Sequence, residues 1–177
     1  RQHWVGFDLG GTKMMAVVYG QDLEPVGRRR RKTKGYQGTK AGLARMAETI
    51  EQALDDAKRH GTHMVVIIPP SHGAYLGVYH LEGDPDPAFS LDRGIMTRLV
   101  AEANAAHPDA PAAEIWDFND FHPLNCEPIP EGRGRMKWWV DGTHARRELG
   151  DIMLARIMGW PVEGPGADYG FRLDASN

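Results

Sequence analysis

In the first third of the chain, the pattern of hydrophobic residues predicts two strands followed by a helix. Strands are expected at Trp4–Phe7 and Lys13–Tyr19, joined by the glycine-bearing loop Asp8–Thr12 as a β-hairpin. A helix is expected from Thr39 to the breaker Gly61, because apolar residues recur at spacings of three and four. The apolar face of that helix consists of Leu43, Met46, Ala47, Ile50, Leu54 and Ala57.

The middle of the chain predicts a buried strand, a second helix and another strand. Met64–Ile68 is an unbroken apolar run, typical of a strand covered on both faces in a parallel sheet. Turn-forming residues fill Gly83–Pro87, and Ser90 is expected to cap a helix with an apolar face. A strand is expected at Ile115–Phe118. This order predicts an α/β fold in three layers, with a mainly parallel sheet flanked by helices and an N-terminal β-hairpin.

The last third combines a long loop with a final helix. Asn119–Arg135 contains three prolines and two glycines, so it is expected to be a loop of the kind that often carries function. Met136–Val140 is expected to be a short extended piece. The final amphipathic helix is expected to begin at Thr143 or His144 and to stop at Gly159.

Composition restricts the class of protein. The chain has 177 residues, 41% of them hydrophobic, and a net charge of -3, which suits a soluble domain with a packed core. No apolar run approaches the roughly 20 residues that span a bilayer, so no membrane partner is expected. A single cysteine, Cys126, suits a reducing compartment and hence a cytoplasmic location. The eight histidines lack a paired acidic cluster, so no metal site is expected among them.

Charge is unevenly distributed along the chain. Residues 1–57 contain 10 Lys and Arg against 7 Asp and Glu, whereas residues 58–177 contain 11 against 17. The basic run Arg28–Lys34 could contact nucleic-acid phosphates, but no aromatic residues are interleaved with it and the total charge is acidic. A solvated edge strand is therefore favoured, and no nucleic-acid partner is expected.

The loop between the first two predicted strands carries a pattern suited to phosphate binding. Two adjacent glycines, Gly10 and Gly11, let the backbone approach a phosphate closely. Asp8 can act through a metal ion, while Thr12 and Lys13 can bind phosphate oxygens. An ordinary tight turn is the alternative, since glycine pairs are common in turns.

With the flanking strands and the first helix, residues 3–57 resemble the start of the ROK family of sugar kinases and repressors. The resemblance implies an actin-like fold in which this loop binds the phosphates of ATP with magnesium. It carries over five cofactor-binding positions, which are Asp8, Gly10, Gly11, Thr12 and Lys13. The zinc cluster, the second glycine-rich motif and the catalytic Asp of such kinases have no counterpart in the sequence, so sugar phosphorylation is expected to be absent or negligible.

A second candidate site precedes the final predicted helix, in the sequence Asp141-Gly142-Thr143-His144. Both end residues can point from one loop toward the carboxyl ends of the strands. There His144 could act as a base and Asp141 could orient it. The alternative is that Asp141 and Thr143 cap the helix and that His144 is a surface residue.

Residues 58–177 resemble a branch of the SGNH hydrolase-like superfamily. The resemblance is carried by short motifs, which are Pro69-Pro70-Ser71-His72, Trp116-Asp117-Phe118, Glu127-Pro128-Ile129-Pro130, and Asp141 to His144 followed by Leu149-Gly150-Asp151. It implies that Asp141 and His144 are the acid and base of a catalytic triad. The serine block of such hydrolases is absent, which leaves Ser71 as the best candidate nucleophile and Thr12 as the other.

The two resemblances meet near Ala57 and Lys58, where the charge balance also changes. We therefore interpret the chain as a natural or artificial fusion of a ROK-like piece at 1–57 with an SGNH-like part at 58–177, packed as one unit. The leading hypothesis is a nucleotide-phosphate-binding domain, incomplete for catalysis, with ATP and magnesium as cofactor and a small nucleotide or sugar as partner. The alternatives are a serine-type esterase or acyl transferase on carbohydrate esters and a catalytically silent domain. Substrate and oligomeric state stay open.

Overall fold

The structure, a computed structural model, describes residues 4–9, 13–19, 22, 24–32, 39–81 and 87–174. The chain divides into two compact units, residues 1–53 and residues 54–177, called here the N-terminal unit and the C-terminal unit. Helices and strands are both present, so the predicted mixed α/β class is confirmed. No helix within these described ranges is both long and apolar enough to cross a membrane.

The N-terminal unit contains an antiparallel sheet of three strands, which are β1 (Trp4–Leu9), β2 (Lys13–Tyr19) and β3 (Pro25–Lys32), in the order β1-β2-β3. β2 spans the residues predicted for it, and β1 runs two residues beyond its predicted end. Residues 10–12, which would close the expected hairpin, lie outside the described residues. β3 is an outer strand of this sheet, and Arg28, Arg30 and Lys32 are exposed along it, as expected for a charged edge strand.

Helix α1 (Thr39–Arg59) is the long amphipathic helix that the apolar spacing predicts, and it crosses the boundary between the two units. Its apolar stripe buries Ile50, Leu54 and Ala57. The helix ends two residues before Gly61, which confirms the predicted stop. The junction expected after Ala57 lies within this helix.

The C-terminal unit is built on a sheet of three strands, which are β4 (Val65–Ile68), β5 (Glu114–Asp117) and β6 (Phe171–Leu173), in the order β4-β5-β6. β4 and β5 are parallel, whereas β5 and β6 are antiparallel. This sheet is therefore mixed, and the expected three-layer, mainly parallel arrangement is not confirmed. Ile67 is 42% exposed, so β4 is not covered on both faces as predicted. The strand propensity of valine and isoleucine accounts for the apolar run without full burial.

In the described residues three further α-helices follow, which are α2 (Gly73–Leu81), α3 (Pro87–Ala106) and α4 (Arg147–Ile157), and a short 3-10 helix spans Gly164–Gly166. α2 was not predicted, because apolar residues occupy nearly its whole circumference and leave no amphipathic period. The prediction that Ser90 caps a helix is wrong, since α3 begins at Pro87, and proline suits the first helical position. The final helix begins at Arg147 rather than at Thr143 or His144, because the preceding residues form a separate turn. It ends before Gly159, as predicted.

The core of the C-terminal unit joins its loops to α4. One buried cluster contains Phe118, Leu124, Trp139, Leu149 and Tyr169. All of these except Leu149 lie outside helices and strands. The predicted extended piece around Trp139 contributes only an isolated bridge to Ala145. Loop side chains therefore supply most of this core, and the loops are held in place by burial.

Candidate functional site

The candidate site lies in the C-terminal unit, where β4 and β5 end. Ser71 follows β4 after two prolines, and Asn119 follows β5 by two residues. The backbone N–H of Ser71 donates a hydrogen bond to Asn119 Oδ1 at 2.8 Å. Asn119 is buried and Ser71 is half-buried. Because parallel strands end at the same edge of a sheet, this bond holds the two loops side by side.

Residues 141–144 form a compact turn around the Asp141 carboxylate. The backbone N–H groups of Thr143 and His144 both donate to Asp141 Oδ1, each at 2.9 Å. His144 Nδ1 lies 2.8 Å from Asp141 Oδ2, so this nitrogen carries the ring proton and donates it to the carboxylate. The other ring nitrogen, Nε2, has no hydrogen-bond partner in the part of the chain that the structure describes. The His144 side chain is 74% exposed.

Hydrogen bonding keeps the Asp141 carboxyl ionised. The Thr143 backbone N–H makes the largest contribution and the His144 ring the next, and together they lower the pKa of Asp141 from 3.8 to about 2. The Asp141 side chain is itself 53% exposed, so the pair is open to solvent. The turn therefore presents an oriented imidazole, backed by a carboxylate, to solvent.

The capping interpretation of this turn is wrong. The residue that precedes α4 is Arg146, whose backbone is extended and whose side chain does not cap the helix. Arg146 Nε instead donates to the carbonyl oxygens of Met136 and Trp139, at 2.9 and 3.0 Å. Asp141 stabilises its own turn, which lies before the helix and is separate from it.

Two contacts join this turn to the segment after β4. The His72 backbone N–H donates to the Gly142 carbonyl oxygen at 2.9 Å. Tyr75 in α2 packs against Gly142, where a Cβ atom would lie 3.3 Å from the Cβ of Tyr75. A Cβ at position 142 would therefore require Tyr75 or the turn to shift by a few tenths of an ångström. The two contacts hold the Asp141 turn next to Ser71 and His72.

The His72 ring is buried, and both of its nitrogens are used. Nδ1 accepts a hydrogen bond from the Ala74 backbone N–H at 3.1 Å, so Nε2 carries the proton and donates to the Glu127 carbonyl oxygen at 2.8 Å. The ring also packs edge-on against Trp139, with ring centroids 5.5 Å apart. His72 therefore ties the start of α2 to the long loop and is not available as a base.

The loop predicted between Asn119 and Arg135 contains no helix or strand, as expected, and the buried Asn125 and the half-buried Glu127 hold it in place. Asn125 donates to the Phe118 carbonyl oxygen at 2.8 Å and accepts a hydrogen bond from the Tyr169 hydroxyl at 2.7 Å. The Glu127 carboxylate accepts the Trp138 backbone N–H at 2.7 Å. Such satisfied buried hydrogen bonds give an irregular loop a defined shape.

Ser71, Asp141 and His144 are the predicted site residues that the structure brings to one region of the C-terminal unit. No hydrogen bond joins the Ser71 hydroxyl to the His144 ring among the residues described. Their connection is through the backbone, from Ser71 to His72 and from His72 to Gly142.

The predicted phosphate loop is only partly described. Asp8 lies exposed near the end of β1, opposite Met15 of β2, and Lys13 begins β2. Gly10, Gly11 and Thr12 lie outside the described residues. The arrangement of this loop around a phosphate therefore stays a prediction.

Two residues at the site were not predicted from the sequence. Asn119 directly follows a predicted strand, and polar residues at a strand end are a signal that could have identified it. Arg93, which contacts Asp117 and Asn119, lies in the middle of a helix with no local pattern to mark it.

Comparison with protein-family models, with curated proteins and with solved structures finds no match for this chain. The resemblances to ROK and SGNH proteins therefore stay proposals. Among the residues placed by the structure, no group of three or more His, Cys, Asp or Glu side chains could hold a metal ion.

Proposed function

We propose that the C-terminal unit carries the acid–base site of a serine-type ester hydrolase or acyl transferase acting on carbohydrate esters, as its resemblance to SGNH hydrolase-like proteins implies. One observation carries the proposal, namely the bond from His144 Nδ1 to Asp141 Oδ2 at 2.8 Å within a single turn. A carboxylate that orients an imidazole through Nδ1 leaves Nε2 to accept a proton. Nucleotide binding, which the sequence alone placed first, depends on residues 10–12, and these lie outside the described residues.

In the proposed reaction His144 acts first as a general base and then as a general acid. Its Nε2 accepts the hydroxyl proton of Ser71 while Ser71 Oγ bonds to the carbonyl carbon of the ester. The proton passes to the leaving alcohol oxygen as the ester C–O bond breaks, which leaves the acyl group on Ser71. Water, or a second hydroxyl in acyl transfer, then gives a proton to the same nitrogen while its oxygen bonds to the acyl carbon. The bond from that carbon to Ser71 Oγ breaks, and the proton returns from Nε2 to Ser71 Oγ.

Asp141 supports both steps without changing its own protonation. With a pKa of about 2 it is ionised at neutral pH. It holds the His144 ring in the tautomer with the proton on Nδ1 and stabilises the imidazolium that forms during each step.

Ser71 is the nucleophile that position favours. Its backbone N–H donates a hydrogen bond to Asn119. The backbone N–H of the next residue, His72, donates a hydrogen bond to Gly142 in the turn between Asp141 and His144. The reaction requires Ser71 Oγ to come within about 2.6–3.2 Å of His144 Nε2 once substrate is bound. Thr12 is the alternative hydroxyl from the sequence and lies outside the described residues.

The exposure of the pair supports a substrate presented from outside the protein. With 53% and 74% of the Asp141 and His144 side chains exposed, an ester on an extended chain of sugars can reach Nε2 without entering a deep cavity. The carbohydrate itself is inferred from the family resemblance.

Hydrolysis of p-nitrophenyl acetate tests the proposal. We expect turnover that falls to background in Ser71→Ala and in His144→Ala, and that falls by about 10⁴-fold in Asp141→Asn because the tautomer is no longer fixed. Thr143→Ala should retain most of the activity, since it removes only the hydroxyl that donates to Asp141 Oδ1 at 3.3 Å and keeps the shorter bond from the Thr143 backbone N–H at 2.9 Å.

Three other results would change the assignment. Activity that survives in both Ser71→Ala and His144→Ala is nonspecific. Loss in Thr12→Ala but not in Ser71→Ala excludes Ser71 as the nucleophile. A wild-type protein without turnover on any acetylated sugar is the catalytically silent domain.

We propose as a second candidate that the N-terminal unit binds nucleotide phosphates with magnesium, as its resemblance to ROK proteins implies. Two observations support it: β1 ends at Leu9 and β2 begins at Lys13, so paired strands bracket residues 10–12, and Asp8 is exposed beside them. The proposed cofactor is ATP with magnesium, and the proposed partner is a small nucleotide or sugar. The proposed location is the cytoplasm. Sugar phosphorylation is expected to be negligible because the catalytic Asp motif is absent from the sequence.

A further inference from the structure

The end of β5 carries a buried charged pair that the proposed reaction does not use. Asp117, the last residue of β5, is fully buried, and its Oδ2 accepts a hydrogen bond from Arg93 Nε in helix α3. Arg93 Nη2 also donates to the Asn119 carbonyl oxygen at 2.9 Å. One guanidinium therefore ties α3 both to the strand end and to the loop that follows it.

The contacts continue from this loop to the proposed nucleophile. Asp117 Oδ1 accepts the Asn119 backbone N–H at 2.7 Å, which closes a tight turn at the strand end. Asn119 Oδ1 in turn accepts the Ser71 backbone N–H at 2.8 Å. Hydrogen bonds thus connect Arg93 to Asn119 and Asn119 to Ser71, although Arg93 lies 22 positions after Ser71 in the sequence.

We propose that Arg93 is a positioning residue for Ser71, acting through the turn Asp117–Asn119. The catalytic consequence rests on the proposed function, because it requires Ser71 to be the nucleophile. The positioning itself does not, since the Ser71 backbone N–H can be observed without a substrate.

The role needs a guanidinium rather than any cation. Its planar fork donates to a carboxylate and a carbonyl at once, whereas a lysine ammonium is a compact point charge on a flexible stem. Burial raises the pKa of Asp117, and the Asn119 N–H and Arg93 oppose that shift. Loss of the Arg93 charge alone would leave a buried carboxylate without its cation, which commonly destabilises a protein strongly.

Two variants separate positioning from folding. Arg93→Lys keeps a cation beside Asp117 and removes the hydrogen bond from Arg93 Nη2 to the Asn119 carbonyl oxygen. The double variant Arg93→Met with Asp117→Asn removes both charges together, which proteins often tolerate. Arg156→Lys is the matched control, because Arg156 Nε donates to the Tyr169 carbonyl oxygen at 3.0 Å and contacts no residue of the Asp117–Asn119 turn.

Hydrogen exchange of the Ser71 amide, measured by NMR on the full chain, tests the positioning directly. Loss of the hydrogen bond from Arg93 to Asn119 should speed exchange of the Ser71 amide by about tenfold in both Arg93 variants. That factor of about ten corresponds roughly to the free energy of one hydrogen bond. Exchange in Arg156→Lys should match the wild type. Equal protection of the Ser71 amide in the wild type, Arg93→Lys and the double variant overturns the proposal.

Kinetics on p-nitrophenyl acetate test the catalytic consequence. In Arg93→Lys, kcat should fall by about 10- to 100-fold while KM changes by less than about twofold, because the nucleophile is misplaced and the binding surface is retained. A rise in KM at constant kcat overturns the catalytic consequence of the positioning. A wild-type protein that protects the Ser71 amide through Arg93 yet shows no turnover refutes the proposed function and leaves the positioning intact.

Discussion

At the scale of single residues, Asp141 shows how an exposed carboxylate can be strongly shifted. Exposed carboxylates usually titrate near their ordinary values, because water supplies equivalent hydrogen bonds to the charged form. Here two backbone N–H groups and one ring N–H, all within three residues of Asp141, supply them instead. Local chain geometry, rather than burial or a distant cation, therefore makes the shift.

The first prediction concerns the acid range. The pKa of Asp141 is lower in the native turn, at about 2, than its ordinary value of 3.8, which we take for the unfolded chain. The ionised carboxylate therefore contributes stability that is fully present above pH 3.8 and is lost as the pH falls through about 2. NMR should place the titration of the Asp141 carboxyl near pH 2. Tm should fall less between pH 3.8 and pH 2 in Asp141→Asn than in the wild type, because the variant lacks this titrating group. A midpoint at or above 3.8 contradicts the described turn.

At the scale of elements, the two ends of α4 are determined in different ways. Its C-terminus is set locally by a glycine, and its N-terminus is set by hydrogen bonds to the preceding loop. At its C-terminus the Trp160 N–H bonds to the Ala155 carbonyl and the Gly159 N–H to the Arg156 carbonyl, at 2.9 and 3.2 Å. Gly159 has a φ of 66°, so these bonds form a Schellman motif with glycine in the left-handed region. At its N-terminus, Arg146 bonds to two loop carbonyls instead of capping the helix.

The second prediction compares two glycines of this helix. Gly159→Ala should lower the free energy of unfolding by about 1–2 kcal/mol, because a Cβ is strained at this φ. Gly150→Ala should raise it by roughly 0.5–1 kcal/mol, because Gly150 lies within α4 and a Cβ there would meet no atom within 4 Å. Urea denaturation of both variants measures the difference, and a shift of the same sign in both would show that the helix end is not the cause.

At the scale of the whole molecule, the two candidate sites belong to different compact units. The turn of Asp141 and His144 lies within residues 54–177, and the proposed phosphate loop lies within residues 1–53. Compact units of one chain commonly keep their own cores, so a surface substitution in one of them should leave the chemistry of the other in place.

The third prediction is that the two activities respond to different substitutions. Asp8→Ala should abolish the heat of binding of ATP with magnesium and leave ester hydrolysis unchanged, whereas His144→Ala should do the reverse. Calorimetry and p-nitrophenyl acetate hydrolysis on the same preparations measure both. Absence of heat with wild type at millimolar ATP removes the nucleotide site, and loss of both activities in Asp8→Ala contradicts their separation.

Much of the secondary structure and one half of the site follow from neighbouring residues. The strands β2, β4 and β5 and the helix α1 lie within a residue or two of their predicted bounds, because strand and helix patterns depend on residues a few positions apart. The pairing of Asp141 with His144 was predictable for the same reason, since a separation of three residues places both side chains in one turn.

Only the tertiary structure decided which distant residues meet. β6 is a three-residue strand that exists through its antiparallel pairing with β5, and α2 has no amphipathic period of its own. The series of contacts from Arg93 through Asn119 to Ser71 depends on the parallel pairing of β4 with β5 and on the packing of α3 against the end of β5. Such contacts join residues too far apart in sequence for any local pattern to record them. The sequence alone therefore indicated the pairing of Asp141 with His144, and only the fold placed Ser71 beside Asn119 at the ends of β4 and β5.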